Sequence, residues 1–131
     1  VCLVGSEMCI RDRYLISTME GFGLEVIVQR FVYDSLMTGA QNPEAYNVCG
    51  YRFGEVDPDK WMVFGAHFDI APPVNGGMLD PHIFGRTYGT RVGAYDNTAG
   101  TSMVLTVAEA MAAYSTRNTM VFCLWFWGRR G

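Results

Sequence analysis

Residues 61–69 read WMVFGAHFD. The first part, WMVFGA, is a short continuous apolar run bounded by turn signals, which predicts a strand buried on both faces. The run ends on His67 and Asp69. In extended chain, residues i and i+2 point the same way, and ligands of open α/β sheets gather at the carboxyl ends of strands. Asp69 is therefore placed to approach one ring nitrogen of His67 while the other faces a metal. A carboxylate behind a ligating imidazole fixes its tautomer and raises its basicity. The plainer alternative is a structural histidine held by a nearby carboxylate.

Downstream, residues 70–93 carry Pro72, Pro73, Gly76, Gly77, Pro81, Gly85 and Gly89. They read as a long irregular loop, a kind of segment that usually serves function inside a compact domain. His82 lies in it and is expected to face solvent. Residues 93–100 then read GAYDNTAG. Asp96 and Asn97 stand before a helix, where either side chain makes a good N-cap. The functional alternative is that the glycines permit close backbone approach while Asp96 points into a site, its two oxygens bridging two cations. Residues 98–114 form the clearest helix, with Met103, Val104, Val107, Ala108 and Met111 on one face. Residues 118–127 are apolar on both alternations and predict a central strand, with Trp125 and Trp127 as core packing.

Upstream, residues 14–20 read as the tail of a helix stopped by Gly21 and Gly23. Residues 24–33 and 45–53 read as strands, 34–44 as a loop and 54–60 as a turn. Cys49 and Cys123 are expected to behave as small apolar residues. The order predicts an α/β domain, a three-layer sandwich with a mixed central sheet flanked by helices.

Composition agrees with a folded enzyme-sized core and narrows the partners. Half of the 131 residues are hydrophobic and 14% are aromatic, enough to bury a core. The formal net charge of -3 gives no reason to expect nucleic acid or an anionic membrane surface as a partner. No apolar run is long enough to span a bilayer. The four cysteines include no CxxC pair, so they suggest neither a zinc knuckle nor a disulfide framework.

The first residues read differently from the rest. Residues 1–13, VCLVGSEMCIRDR, resemble the translation of a transposase adapter used in sequencing libraries. They are expected to be a non-native segment excluded from the fold. Residues 14–131 are then expected to be the N-terminal part of a longer domain, truncated at its C-terminus.

Taken together, HFD after an apolar strand, the loop, GAYDNTAG, an amphipathic helix and the strand MVFCLWFWG resemble the co-catalytic zinc aminopeptidase family. The resemblance covers roughly residues 24–128. It implies that His67 binds one zinc, that Asp96 bridges two, and that Asp69 supports His67 from behind. It also implies a peptide substrate with a free N-terminus, and relatives that are often secreted or membrane-associated. The family carries two adjacent glutamates after the last strand, a general base and a metal ligand. Here Arg129 and Arg130 stand in their place. An arginine neither ligates zinc nor accepts a proton near neutral pH. One inserted base would produce the change, since GGA GAA GAG GG becomes GGA AGA AGA GGG; the alternative is an inactive homologue with a genuine Arg129-Arg130. With His67 and Asp96 as the metal ligands at hand, the chain is expected to bind zinc weakly or not at all, because stable sites use three or four protein ligands. Alternatives within the same resemblance are a glutaminyl cyclase or carboxypeptidase of the same fold, and a non-catalytic binding domain.

Overall fold

The computed structural model describes residues 7–32, 44–69 and 94–126. The elements, in order, are α1 (Glu7–Gly21), β1 (Glu25–Val32), β2 (Glu44–Arg52), β3 (Asp57–His67), a π-helical turn (Ala94–Ala99), α2 (Gly100–Ala112) and β4 (Asn118–Trp125). The segments expected as loops at 34–44 and 70–93, and the residues from Trp127 on, lie outside the described residues, apart from Glu44, which opens β2.

Helix α1 ends as its glycines predict. Gly23 has φ 78°, a left-handed conformation that glycine adopts without a Cβ penalty. Leu24 N–H donates to Met19 O at 3.2 Å and Gly23 N–H to Glu20 O at 2.9 Å. This pair of bonds is the Schellman ending, which satisfies the last carbonyls and turns the chain into β1. The helix also runs back through residues 7–13, the stretch read above as adapter-derived. Asp12 in that stretch is buried, and among the described residues its carboxylate finds only the Arg11 guanidinium, whose Nε lies 3.7 Å from Oδ1.

The four strands form one mixed sheet in the order β1-β2-β4-β3. β1 pairs with β2 and β2 with β4 in antiparallel fashion, while β3 and β4 are parallel. The parallel pair needs a crossover, which α2 supplies. The α/β class and the mixed sheet are as expected from the sequence. Alternation decides what each face does. Val48, Met120, Phe122, Leu124 and Ala66 join Leu15 and Met19 of α1 and Val104 and Ala108 of α2 in one core. Phe64 stacks on Phe122 with ring centroids 5.5 Å apart. Arg52 closes this layer, donating from Nη1 to Ala112 O at 2.7 Å and from Nη2 to Met111 O at 2.8 Å, with a further bond to Tyr114 O. A cation on the last carbonyls of α2 satisfies them and suits the negative end of the helix dipole. Both described helices thus share one face of the sheet.

Several expectations change here. WMVFGA is a strand, but among the described residues it is not buried on both faces: β3 is the outermost of the four described strands, and Trp61, Met62 and Val63 are exposed there. An apolar run of this kind reports a strand, whereas the covering of its faces depends on which elements pack there. Met103 was expected in the core and is 67% exposed, because the buried stripe of α2 runs through Val104 and Ala108. Trp125 is 37% exposed and lies flat over Gly65, where a Cβ would meet its ring carbons at 2.1 Å. Cys49 and Cys123 are not separate small apolar residues. They sit directly opposite each other across β2 and β4 and form a disulfide, with Cα atoms 4.1 Å apart.

The stretch expected as a turn at 54–60 is partly strand, since β3 begins at Asp57. Thr119 at the start of β4 explains this. Its buried hydroxyl donates to Pro58 O at 2.6 Å and accepts from Gly54 N–H at 3.1 Å. Arg117 Nε adds an ion pair with Asp57 at 2.8 Å. These ties draw the segment into register across an irregularity between Asp57 and Trp61.

Candidate metal centre

His67 is the last residue of β3 and pairs in register with Trp125 of β4. Two bonds hold this end of the strand. Phe68 N–H donates to Trp125 O at 2.9 Å, and Thr101 Oγ1 in the first turn of α2 donates to His67 O at 3.3 Å. The second bond brings the start of α2 against the end of β3. The two sequence motifs, separated in sequence by the segment 70–92, therefore meet at one end of the sheet.

Asp69 is buried, and its Oδ1 lies 3.2 Å from Nδ1 of His67. The spacing of HFD predicted this approach, and the chain continues extended enough past β3 to deliver it. The pairing engages Nδ1, so a metal would be held through Nε2. Phe68 between them packs into the core, and the Arg11 guanidinium lies over its ring at 4.6 Å from the centroid.

Asp96 lies in the π-helical turn that leads directly into α2. Turns of this type within helices occur frequently at functional sites, since they displace one residue from the regular ladder. Of the two N-cap candidates in GAYDNTAG, Asn97 accepts at Oδ1 from Gly100 N–H at 3.0 Å within the turn, while the residue directly before α2, Ala99, is itself helical and makes no side-chain cap bond. Gly100 makes this possible: a Cβ there would stand 2.4 Å from Asn97 Oδ1. The last glycine of the motif is thus explained by the close approach of the Asn97 carboxamide. The side chain of Asp96 is outside the described residues, as are Arg129 and Arg130. Among the described residues, no group of three or more His, Cys, Asp and Glu gathers as a metal site. The donors in view fit one zinc ligand with its supporting carboxylate, and a carboxylate-bearing turn beside it.

Asn47 escaped the sequence reading. It stands mid-strand in β2, and no local signal marks its side chain for the far end of β4. Its Oδ1 accepts from Phe126 N–H at 3.0 Å.

The model of peptidase family M28 matches residues 47–127. No curated protein sequence matches the chain. Solved structures similar to it include Fimbriiglobus ruber glutaminyl cyclase, with a TM-score of 0.72 and 18% identity over 93% of this chain and 38% of that one. A leucine aminopeptidase precursor from Bacteroides thetaiotaomicron has a TM-score of 0.69 and 20% identity, over 92% of this chain and 39% of its own. Tannerella forsythia glutaminyl cyclase has a TM-score of 0.71 and 18% identity, over 92% and 40%. These likenesses show a shared fold, and the chain spans about two-fifths of the length of each of these structures. With the family model covering more than half of its residues, the chain belongs to peptidase family M28.

Proposed function

We propose that this chain is part of a zinc-dependent peptidase of aminopeptidase type, which removes N-terminal residues from peptides. The observation that carries the reading is the His67 Nδ1 to Asp69 Oδ1 approach of 3.2 Å at the carboxyl end of β3, in a chain of a peptidase family. In this reading Nε2 of His67 would hold one zinc, and Asp96 would serve as a carboxylate ligand to it and to a second. Bound zinc supplies Lewis-acid polarisation of the scissile carbonyl and makes water acidic enough to attack near neutral pH. Asp69 fixes the imidazole tautomer and its direction. Thr101 and Phe68 hold the strand end on which that imidazole sits. The base that moves the proton to the leaving amine is a glutamate in the resembling family; Arg129 or Arg130 does not replace it.

The glutaminyl cyclases among the similar structures favour a second reading, in which the same zinc-holding end of the sheet promotes cyclisation of an N-terminal glutamine with release of ammonia. Peptide substrate is common to both readings. The Cys49–Cys123 disulfide supports an oxidising compartment, in line with a secreted or membrane-associated protein.

The test has two arms. Calorimetric titration of the 131-residue chain with zinc is expected to give weak or no binding, lost altogether in His67→Ala; submicromolar affinity would contradict the ligand count. In a longer form with glutamates at 129 and 130, aminoacyl-nitroanilide hydrolysis is expected. Cyclisation of a glutaminyl peptide without that hydrolysis would select the second reading, and neither activity would remove both.

A further inference from the structure

The antiparallel ladder between β2 and β4 stops at Val48↔Leu124. Continued in the same register, it would set Tyr46 opposite Phe126 and give the Phe126 N–H a main-chain acceptor in β2. Instead, the side chain of Asn47 takes over. Its Oδ1 accepts from Phe126 N–H at 3.0 Å, while its Nδ2 donates to Gln29 Oε1 of β1 at 2.9 Å. The Phe126 N–H, a fixed donor, sets the orientation of the Asn47 carboxamide. A flipped carboxamide would turn Nδ2 toward Phe126 N–H, donor against donor. A side-chain carbonyl in place of a main-chain one lets β4 part from β2 without leaving a half-buried amide unsatisfied.

On the other side of β4, the Phe68 N–H to Trp125 O bond ties the strand to the residue between His67 and Asp69. The end of β4 is therefore held from both neighbours, by a main-chain bond beside His67 and by the carboxamide of Asn47. We propose that Asn47 is a positioning residue for the metal centre: its carboxamide fixes the point at which the chain leaves β4 beside His67. Resting on the peptidase reading, this point is the origin of the segment where the resembling family carries its general base. The role acts through the Phe126 amide, and Asn47 itself touches neither metal nor substrate.

Amide hydrogen exchange and amide chemical shifts by NMR on the 131-residue chain test it. In Asn47→Ala, exchange at Phe126 is expected to rise about tenfold, with Phe122 and Leu124 unchanged and the Gly128 amide resonance displaced. Asn47→Asp keeps an acceptor oxygen and is expected to restore both, whereas Asn47→Leu, of similar size without an acceptor, behaves as alanine. Unchanged protection at Phe126 in the alanine and leucine variants would overturn the proposal. So would equal acceleration along all of β4, which marks a merely structural residue. If the alanine variant fails to fold, the aspartate and leucine pair makes the same comparison. None of these readouts involves zinc or hydrolysis, so failure of the peptidase reading leaves them standing, and their failure leaves that reading untouched.

Discussion

The Cys49–Cys123 disulfide joins the antiparallel half of the sheet to the parallel half that carries His67, and its removal has a calculable effect. The two cysteines are 74 residues apart in sequence. In the chain-entropy treatment, closing a loop of that length lowers the entropy of the unfolded chain by about 15 cal/mol/K. At room temperature this corresponds to about 4.4 kcal/mol of stabilisation, an upper value because unfolded chains retain structure; measured effects are typically about 2–4 kcal/mol. Unfolding entropy is about 2.1 cal/mol/K per residue, which for 131 residues gives about 0.28 kcal/mol/K. The midpoint of thermal unfolding should then fall by about 7–16 °C on losing the bond. The assay is calorimetry of the oxidised chain, the chain in excess dithiothreitol, and a Cys49→Ala, Cys123→Ala double variant. The variant should melt near the reduced chain and respond little to reductant at this bond. Alkylation before and after reduction, read by peptide mass, should label Cys49 and Cys123 only after reduction. Labelling of both before reduction would refute the cross-link. A midpoint lowered by less than about 2 °C would refute the loop-closure reasoning.

Two further predictions rest on local packing and charge. Gly54→Ala would place a Cβ 2.4 Å from Arg117 O and Asn118 C, both main-chain atoms, so the start of β4 must move. A loss of about 1–3 kcal/mol is expected in urea unfolding, and a loss below about 0.5 kcal/mol would show that the contact relaxes freely. Burial raises the pKa of Asp12 above its usual value, partly opposed by the Arg11 guanidinium, whose Nε lies 3.7 Å from Oδ1. The folded form thus holds the proton more tightly than the unfolded form. The resulting penalty is absent below the unfolded pKa near 3.8, grows as pH rises, and is complete above the raised folded pKa. Asp12→Leu should therefore stabilise the chain at pH 7, by about 1–3 kcal/mol for a buried carboxylate held only by a long Arg11 contact. The gain should shrink toward pH 4; denaturant midpoints across that range read it, and a pH-independent gain would contradict the charge argument.

The pairing of His67 with Asp69 was legible because it is local: two residues of extended chain suffice to bring a carboxylate behind an imidazole. The Schellman ending at Gly23 and the stripe Val104–Ala108 were legible for the same reason, being set by backbone geometry within a few residues. GAYDNTAG was legible as a helix entry, yet not as a π-helical turn in which Asn97 bonds Gly100 N–H and the cap position falls to the helical Ala99. Asn47 was invisible, since its partner lies 79 residues away and nothing in β2 announces it.

Met103 and Trp61 show where periodicity runs out. An apolar stripe states that a face exists, while its burial depends on the neighbour that packs there. The sequence by itself determined the element types, the α/β class and the His67–Asp69 pair, since each follows from short-range geometry. The order β1-β2-β4-β3 was decided only in three dimensions. That order brings Cys123 opposite Cys49, places β3 outermost among the described strands, and hands the Phe126 amide to Asn47. Long-range pairing is chosen by how whole faces pack together, which no single stretch of chain encodes.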